Sequence, residues 1–271
     1  MPWFPEFSTA IELARRDARA REQADPVAQY LKALYDGGPG VLEKTWPGDV
    51  VVHDPRAGVI RGHRELRTFI HDNREWMAAH DARLEVVGSI TVDGRAAVEL
   101  LVHVLHDGRE VAWPVAVVAE SLDERSVEFR TYCSQWPVDG LQHLRPAFLE
   151  VGAVETTDVV ARHLEALAGG DADSIVKSFE PDGYLQEPIG PDNLHRGTAE
   201  LRAFYAESLS AGGFDVQPCA GTDDGASCAL EYNLVGWGSA PPQAALAIFE
   251  RGTDGLLAAV RLYDDVTRPA S

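Results

Sequence analysis

The strongest constraint on this chain is that it repeats itself. Residues 25–34, from Asp25 to Leu34, correspond to residues 158–167, from Asp158 to Leu167, at a spacing of 133. The same spacing carries Asp49 onto Asp182, Tyr30 onto His163, and His53, Asp54 and Pro55 onto Gln186, Glu187 and Pro188. Two extra residues then bring Arg61-Gly62 into line with Arg196-Gly197, and Leu66 and Phe69 with Leu201 and Phe204. Later anchors are Glu99 with Glu231, Glu120 with Glu250, and Arg130 and Tyr132 with Arg261 and Tyr263. Anchors kept in order along a whole unit argue against chance likeness and for two domains of ordinary size. The expected divisions are an N-terminal helical arm at 1–24, domains at 25–140 and 157–271, and a linker at 141–156. In the arm, Ser8-Thr9 precede an Ala- and Arg-rich stretch ending at Glu22, the pattern of a capped amphipathic helix.

Charge narrows the partners. The net charge is −19 and the pI about 4.8, which sets the chain against nucleic acid and anionic membranes because all carry the same sign. Three cysteines, Cys133, Cys219 and Cys228, are odd in number and lack metal-ligand spacing, which fits a reducing cytoplasm. No apolar run approaches the roughly 18 residues of a membrane span. There is no phosphate loop, nucleophile elbow or His-Glu-x-x-His sequence, and neither a metal nor a cofactor is implied.

Each copy opens with helical spacing of apolar residues, Val27, Tyr30, Leu31 and Leu34, then Val160, His163, Leu164 and Leu167. Gly37-Gly38 and Gly169-Gly170 stop these helices. A short second helix, a strand, a Gly- and Pro-bearing turn and a third helix from Gly62 or Gly197 come next. Strands follow at 84–92, 96–105, 110–120 and 126–136, and at 214–219, 227–237, 243–251 and 256–266. Helices first and antiparallel strands afterwards give an α+β fold. The runs from Trp113 to Ala119 and from Ala244 to Phe249 are apolar at every position, as in strands covered on both faces.

The order of elements, Asp54-Pro55 or Glu187-Pro188 after the first strand, Arg-Gly at the third helix and the closing Arg-x-Tyr strand resemble SnoaL-like domains of the nuclear transport factor two-like superfamily. The resemblance implies two tandem cone-shaped α+β barrels, cystatin-like, with helices across the concave face of a curved sheet and an apolar pocket between. It implies pairing through the convex faces, here as an intrachain pseudodimer, so that a monomeric chain is self-sufficient. It also implies a hydrophobic small-molecule substrate and polyketide cyclase, ketosteroid isomerase-like or epoxide hydrolase chemistry of secondary metabolism; the family also includes noncatalytic binders.

Tyr30 with Asp54, and His163 with Glu187, share a spacing of 24 residues and set a helical side chain against a carboxylate at the cone mouth. A carboxylate in an apolar pocket is prepared for general acid or base work; the alternative is an Asp-Pro or Glu-Pro turn whose carboxylate caps a local amide. Further acids, Asp81, Glu85 and Asp215, do not align between the copies. In the closing strands, alternation sets Asp264 on the face opposite Tyr263. Polyketide-cyclising relatives imply a late Asp acid/base with a His nearby; copy two has Asp264 without the His, and copy one has His103 with Cys133 in place of Asp264. Glu231 and Asn233 share a strand face, and Asn233 is a candidate to orient a substrate oxygen or to pair with backbone. Tyr132, Tyr263 and Trp237 complete the candidate substrate-binding set, and Arg130 and Arg261 read as partners of Glu99 and Glu231 across the sheet. Copy two is the richer candidate for a catalytic site. The competing function is a noncatalytic carrier: the enzyme reading fails if Asp54 and Glu187 are solvent-exposed with no apolar cavity behind them, and the carrier gains if cavities exist but hold no carboxylate of perturbed pKa.

Overall fold

The computed structural model describes residues 26–264 except 37, 93, 155, 157, 211–213 and 237–240. The proposed N-terminal arm and Trp237 lie outside the described residues. In the first copy, α1 (Pro26–Asp36) and α2 (Pro39–Thr45) precede β1 (Val50–Asp54), β2 (Gly58–Arg61) and α3 (Gly62–Ala79). Four strands follow, β3 (Arg83–Val92), β4 (Arg95–His106), β5 (Arg109–Ser121) and β6 (Val127–Tyr132), and then a single turn α4 (Trp136–Asp139). The second copy repeats the order with α5 (Asp158–Ala168), α6 (Ala172–Val176), β7 (Phe179–Gln186), β8 (Leu194–Arg196), α7 (Gly197–Ser208), β9 (Asp215–Asp223), β10 (Ser227–Val235), β11 (Gln243–Arg251) and β12 (Leu257–Tyr263).

Each copy forms a six-stranded sheet, β2-β1-β6-β5-β4-β3 and β8-β7-β12-β11-β10-β9. Both are mixed: β1 lies parallel to β6 and β7 parallel to β12, while the remaining ladders are antiparallel. At the centres of the ladders the registers agree with the repeat, although bulges fall at different places in the two copies. His53 stands opposite Arg130 and Gln186 opposite Arg261, while Tyr132 pairs with Ala116 as Tyr263 pairs with Leu246. Two sequence expectations are corrected. The Gly- and Pro-bearing segments after the first strands contain the short strands β2 and β8, and the closing strand of copy one ends at Tyr132, where Trp136 begins a helical turn. Pro137 at the start of that turn cannot donate to a ladder, and Gly140 closes it at φ 67°.

Alternation on β4, β5, β10 and β11 divides their residues between two apolar layers. Val98, Leu100, Val102 and Val104 face the first copy's own helices, and Leu230, Tyr232 and Leu234 face the second's. The opposite faces meet in a third layer, where Ala97, Ala116 and Val118 pack with Ala244, Leu246 and Ile248. This double burial explains why β5 and β11 are apolar throughout.

Charged groups on these meeting faces pair crosswise. Arg130 Nε donates to Glu231 Oε1 at 2.6 Å and Tyr132 Oη to the same oxygen at 2.7 Å. Reciprocally, Arg261 Nε donates to Glu99 Oε2 at 2.5 Å and Tyr263 Oη to it at 2.7 Å. Thus Arg130 and Arg261 take the glutamate of the other copy. All four charged side chains are buried, which is tolerable only because each is multiply paired. The 141–156 linker is tied to both sheets: Arg145 donates to the Thr131 carbonyl, Ala244 N to the Arg145 carbonyl and Gly152 N to the Pro218 carbonyl. Among the described residues no helix is long and apolar enough to cross a membrane.

Candidate active site

A cavity of about 490 Å³ lies between the sheet of the second copy and its helices, within the size range of small-molecule sites. Its existence follows from substitutions between equivalent positions. Val260 and Ala247 stand where the first copy has Phe129 and Val117. In the first copy Phe129 stacks on Tyr30 with ring centroids 4.2 Å apart, and Trp46 meets Phe129 edge-on. Removing the ring at position 260 and two methyl groups at 247 leaves room in the second copy.

The walls are largely apolar, with Leu185, Leu234 and Phe249 among them, and a small polar set faces in. His163 on α5 occupies the position of Tyr30, Tyr205 on α7 that of Ile70, Tyr232 on β10 that of Leu100, and Asp264 after β12 that of Cys133. Glu187, just beyond β7, completes the set. Tyr205, Tyr232 and Asp264 thus stand where the first copy has apolar or thiol side chains, His163 replaces a phenol, and Glu187 alone has an acid, Asp54, as its counterpart.

His163 is buried, and burial lowers its pKa to about 3, so the ring is neutral. The Ser178 hydroxyl donates to the Ile175 carbonyl at 2.6 Å, so it accepts from His163 Nδ1 at 2.8 Å. That assigns the proton to Nδ1 and leaves the lone pair on Nε2. Phe179, Tyr205 and Phe249 surround the ring edge-on. Burial raises the pKa of Tyr205 and of Tyr232, and the Asp264 carboxylate raises Tyr232 further; both phenols remain protonated donors. Glu187 has a partner that sequence reasoning missed. His195 Nε2 donates to Glu187 Oε1 at 2.7 Å, with the imidazole 4.5 Å from the ring of Phe204. His195 sits on β8 opposite Leu185, where copy one has Ile60. The absence of an aligned histidine hid it, and the two-residue insertion before it was the available signal.

The equivalent acid in copy one adopts the turn role. Asp54 Oδ1 accepts from Arg56 N at 2.9 Å and Ala57 N at 2.8 Å. Tyr30 is buried, with its pKa raised by burial first and by the Asp54 charge second. Elsewhere in the first copy Arg56 lies over Trp76, which meets Trp113 edge-on, and Trp113 Nε1 donates to the Ser134 carbonyl at 2.6 Å.

Four other candidates face away from the cavity. Tyr132 and Tyr263 bind the crosswise glutamates, and Asn233 Nδ2 donates to the linker carbonyl of Leu149 at 3.1 Å. His103 lies on the outer face of β4, 3.7 Å from both Glu85 and Glu110. Period-2 alternation grouped these residues correctly but could not say which face held the helices, and Tyr232 and Leu234, not Glu231 and Asn233, turn inward. Asp81, Glu85 and Asp215 are exposed. Among the described residues no three His, Cys, Asp or Glu side chains gather so as to hold a metal ion.

The model of the SnoaL-like domain matches residues 27–129 and again 160–260. The chain belongs to the SnoaL-like domain family. A curated relative is a Steroid Delta-isomerase of Nocardioides simplex, 42% identical over 59 residues, covering 22% of this chain and 47% of that protein. The chain thus spans about half the length of that relative. Similar solved structures include a candidate polyketide cyclase from Sinorhizobium meliloti, 20% identical over 40% of this chain and 94% of that one, TM-score 0.35. Another is SalBIII, an epoxide hydrolase/cyclase-like enzyme of pyran ring formation in polyether salinomycin, 22% identical over 39% of this chain and 86% of its own, TM-score 0.35. The two SnoaL-like domains of this chain are chemically unequal: the polar set and the cavity belong to the second.

Proposed function

We propose that the chain is a cofactor-free enzyme that moves protons on a hydrophobic, oxygen-bearing small molecule held in the second SnoaL-like domain. Isomerisation, cyclisation and epoxide opening all fall within this chemistry. The observation that carries the reading is the convergence of Glu187, Asp264, His163, Tyr205 and Tyr232 on one apolar cavity, four of them at positions where the first domain has Tyr30, Ile70, Leu100 and Cys133. Glu187, oriented by His195, is the proton-transferring carboxylate. Asp264 is the second acid/base group, and the buried phenols of Tyr205 and Tyr232 donate to the substrate oxygen as charge develops there. Neutral His163 accepts a hydrogen bond through Nε2 and keeps the cavity floor uncharged.

The first domain, with Asp54 and Tyr30, serves as the supporting half of an intrachain pseudodimer, and the crosswise pairs of Arg130 with Glu231 and Arg261 with Glu99 support that arrangement. The domain limits 25–140 and 157–271 go with it. Three free cysteines support work in a reducing cytoplasm.

The test is proton exchange on a Δ5-3-ketosteroid and a panel of apolar ketones in D2O, followed by NMR and by enone absorbance. Wild type is expected to incorporate deuterium, and the Glu187→Gln/Asp264→Asn variant to lose at least ~10²-fold in rate. Full activity in that variant overturns the proposal. Tight binding without exchange on any member of the panel supports the carrier reading in its place.

A further inference from the structure

The second domain does not enclose its cavity alone. Trp136 and Gln142, which follow the last strand of the first domain, stand in its wall together with Ile189 and Asn193. A second cavity, of about 530 Å³, shares Trp136, Ile189 and Asn193 with the first. It is bounded by the β4–β5 hairpin and α4 of the first domain and by the Ile189–Asn193 loop of the second.

The backbone beneath Trp136 is fixed. Its N–H donates to Ser134 Oγ at 3.2 Å, and Gly140 N donates to its carbonyl at 2.9 Å. The indole is nevertheless 47% exposed, a large apolar surface left wet on a rigid support at the boundary of two chambers. The chambers differ in chemistry. The inner one is walled mostly by aliphatic and aromatic side chains around Glu187 and Asp264, whereas the outer one carries Asp107, Glu110, Asp139 and Asp192 against Arg109 and His106. Carboxylates accept hydrogen bonds and repel anions, and a chain of net charge −19 adds to that repulsion.

We propose that Trp136 is a specificity-determining residue supplied by the first domain, and that the substrate pairs an apolar body with a non-anionic, hydrogen-bond-donating end. The body fills the inner cavity, the indole lies along it at the neck, and the polar end rests in the outer chamber. The inference rests on the inner cavity being the reaction site.

Three probes sharing one tail test it: octyl β-D-glucoside, octylammonium and octyl sulfate, each below its micelle concentration, titrated at fixed ionic strength. The readout is the Trp136 indole N–H signal in ¹H–¹⁵N spectra, assigned with Trp136→Phe. The glucoside and the ammonium are expected to shift that signal and to bind at least ~10-fold more tightly than the sulfate. Trp136→Ala should weaken glucoside and ammonium binding by about 10-fold, a loss on the scale of a truncated aromatic contact. Asp139→Asn/Asp192→Asn should narrow the gap to the sulfate by about 3-fold as two like charges are removed. Equal affinities for the three head groups, unchanged affinities in Trp136→Ala, or no movement of the Trp136 signal overturns the proposal. Turnover plays no part in these titrations, so failure of the catalytic reading and failure of this one are read separately.

Discussion

Replacing His163 by Phe should make the protein less sensitive to acid, by an amount the structure sets. The imidazole is buried among Phe179, Tyr205 and Phe249, and burial lowers its pKa from 6.5 to about 3. In the unfolded chain the ring takes up a proton below about pH 6.5, whereas the folded state resists that proton until far lower pH. Stability linked to this residue is therefore complete above pH 6.5 and is lost as pH falls from 6.5 toward 3. At pH 5 the unfolded state gains roughly 1.5 pH units of proton binding, which at 1.36 kcal/mol per unit costs about 2 kcal/mol. A phenyl ring suits the same aromatic surroundings and takes up no proton, and Ser178 keeps its bond to the Ile175 carbonyl. Urea denaturation of wild type and His163→Phe at pH 7 and pH 5 measures the effect as a difference of differences, in which the carboxylates common to both proteins cancel. Wild type should lose about 2 kcal/mol more than the variant between the two pH values. Losses equal within about 0.5 kcal/mol would mean that the ring is solvated or charged in the folded protein, and the burial argument would fall with it.

Other perturbations reach different parts of the molecule. Glu231→Ala leaves buried Arg130 with only the partly exposed Glu120 and Glu128, and urea denaturation should register a loss of about 2–3 kcal/mol, whereas Arg130→Met/Glu231→Leu should recover part of it because both buried charges are then gone. Val260→Phe restores the ring that closes the first domain, so binding of the apolar dye Nile red should fall by at least ~10-fold while the melting temperature holds or rises. His195→Ala leaves Glu187 in place but unguided, and kcat on any ketone that wild type exchanges should drop by about 10-fold with KM little changed. Gly152→Ala would set a Cβ 2.3 Å from the Cys219 carbonyl oxygen, and thermal denaturation should show a loss of about 1–3 kcal/mol as the linker lifts from β9.

Much of the fold was legible because the chain states it twice. The position of β11, from Gln243 to Arg251, could be read from an apolar run bounded by prolines and glycine, and the crossed faces of Tyr263 and Asp264 followed from strand alternation. Alternation did not reveal which face was concave. On β10 both faces are buried, so Glu231 and Asn233 offered no hydropathy contrast to separate the meeting layer from the cavity. Tyr205 and Tyr232 went unnoticed as site residues because aromatic side chains at helix and strand spacing look like core, and only the space left by Val260 and Ala247 gives their hydroxyls somewhere to point. Asp54 and Glu187 occupy equivalent positions, yet a turn shorter by two residues turns one into an amide cap, while the longer loop brings His195 to the other.

The crosswise glutamates have a consequence for how such a chain can change over time. Glu99 is paired with Arg261 and bonded by Tyr263, and Glu231 is paired with Arg130 and Arg95 and bonded by Tyr132, so neither half can leave the other without exposing mismatched charge. Opening one half should therefore tend to open both, and the compact first domain lends its cohesion to a neighbour weakened by a void and by buried hydroxyls and carboxylates. Fusion of the copies separates two demands that a symmetric pair must meet with one sequence. One half is free to explore new chemistry while the other holds the shape.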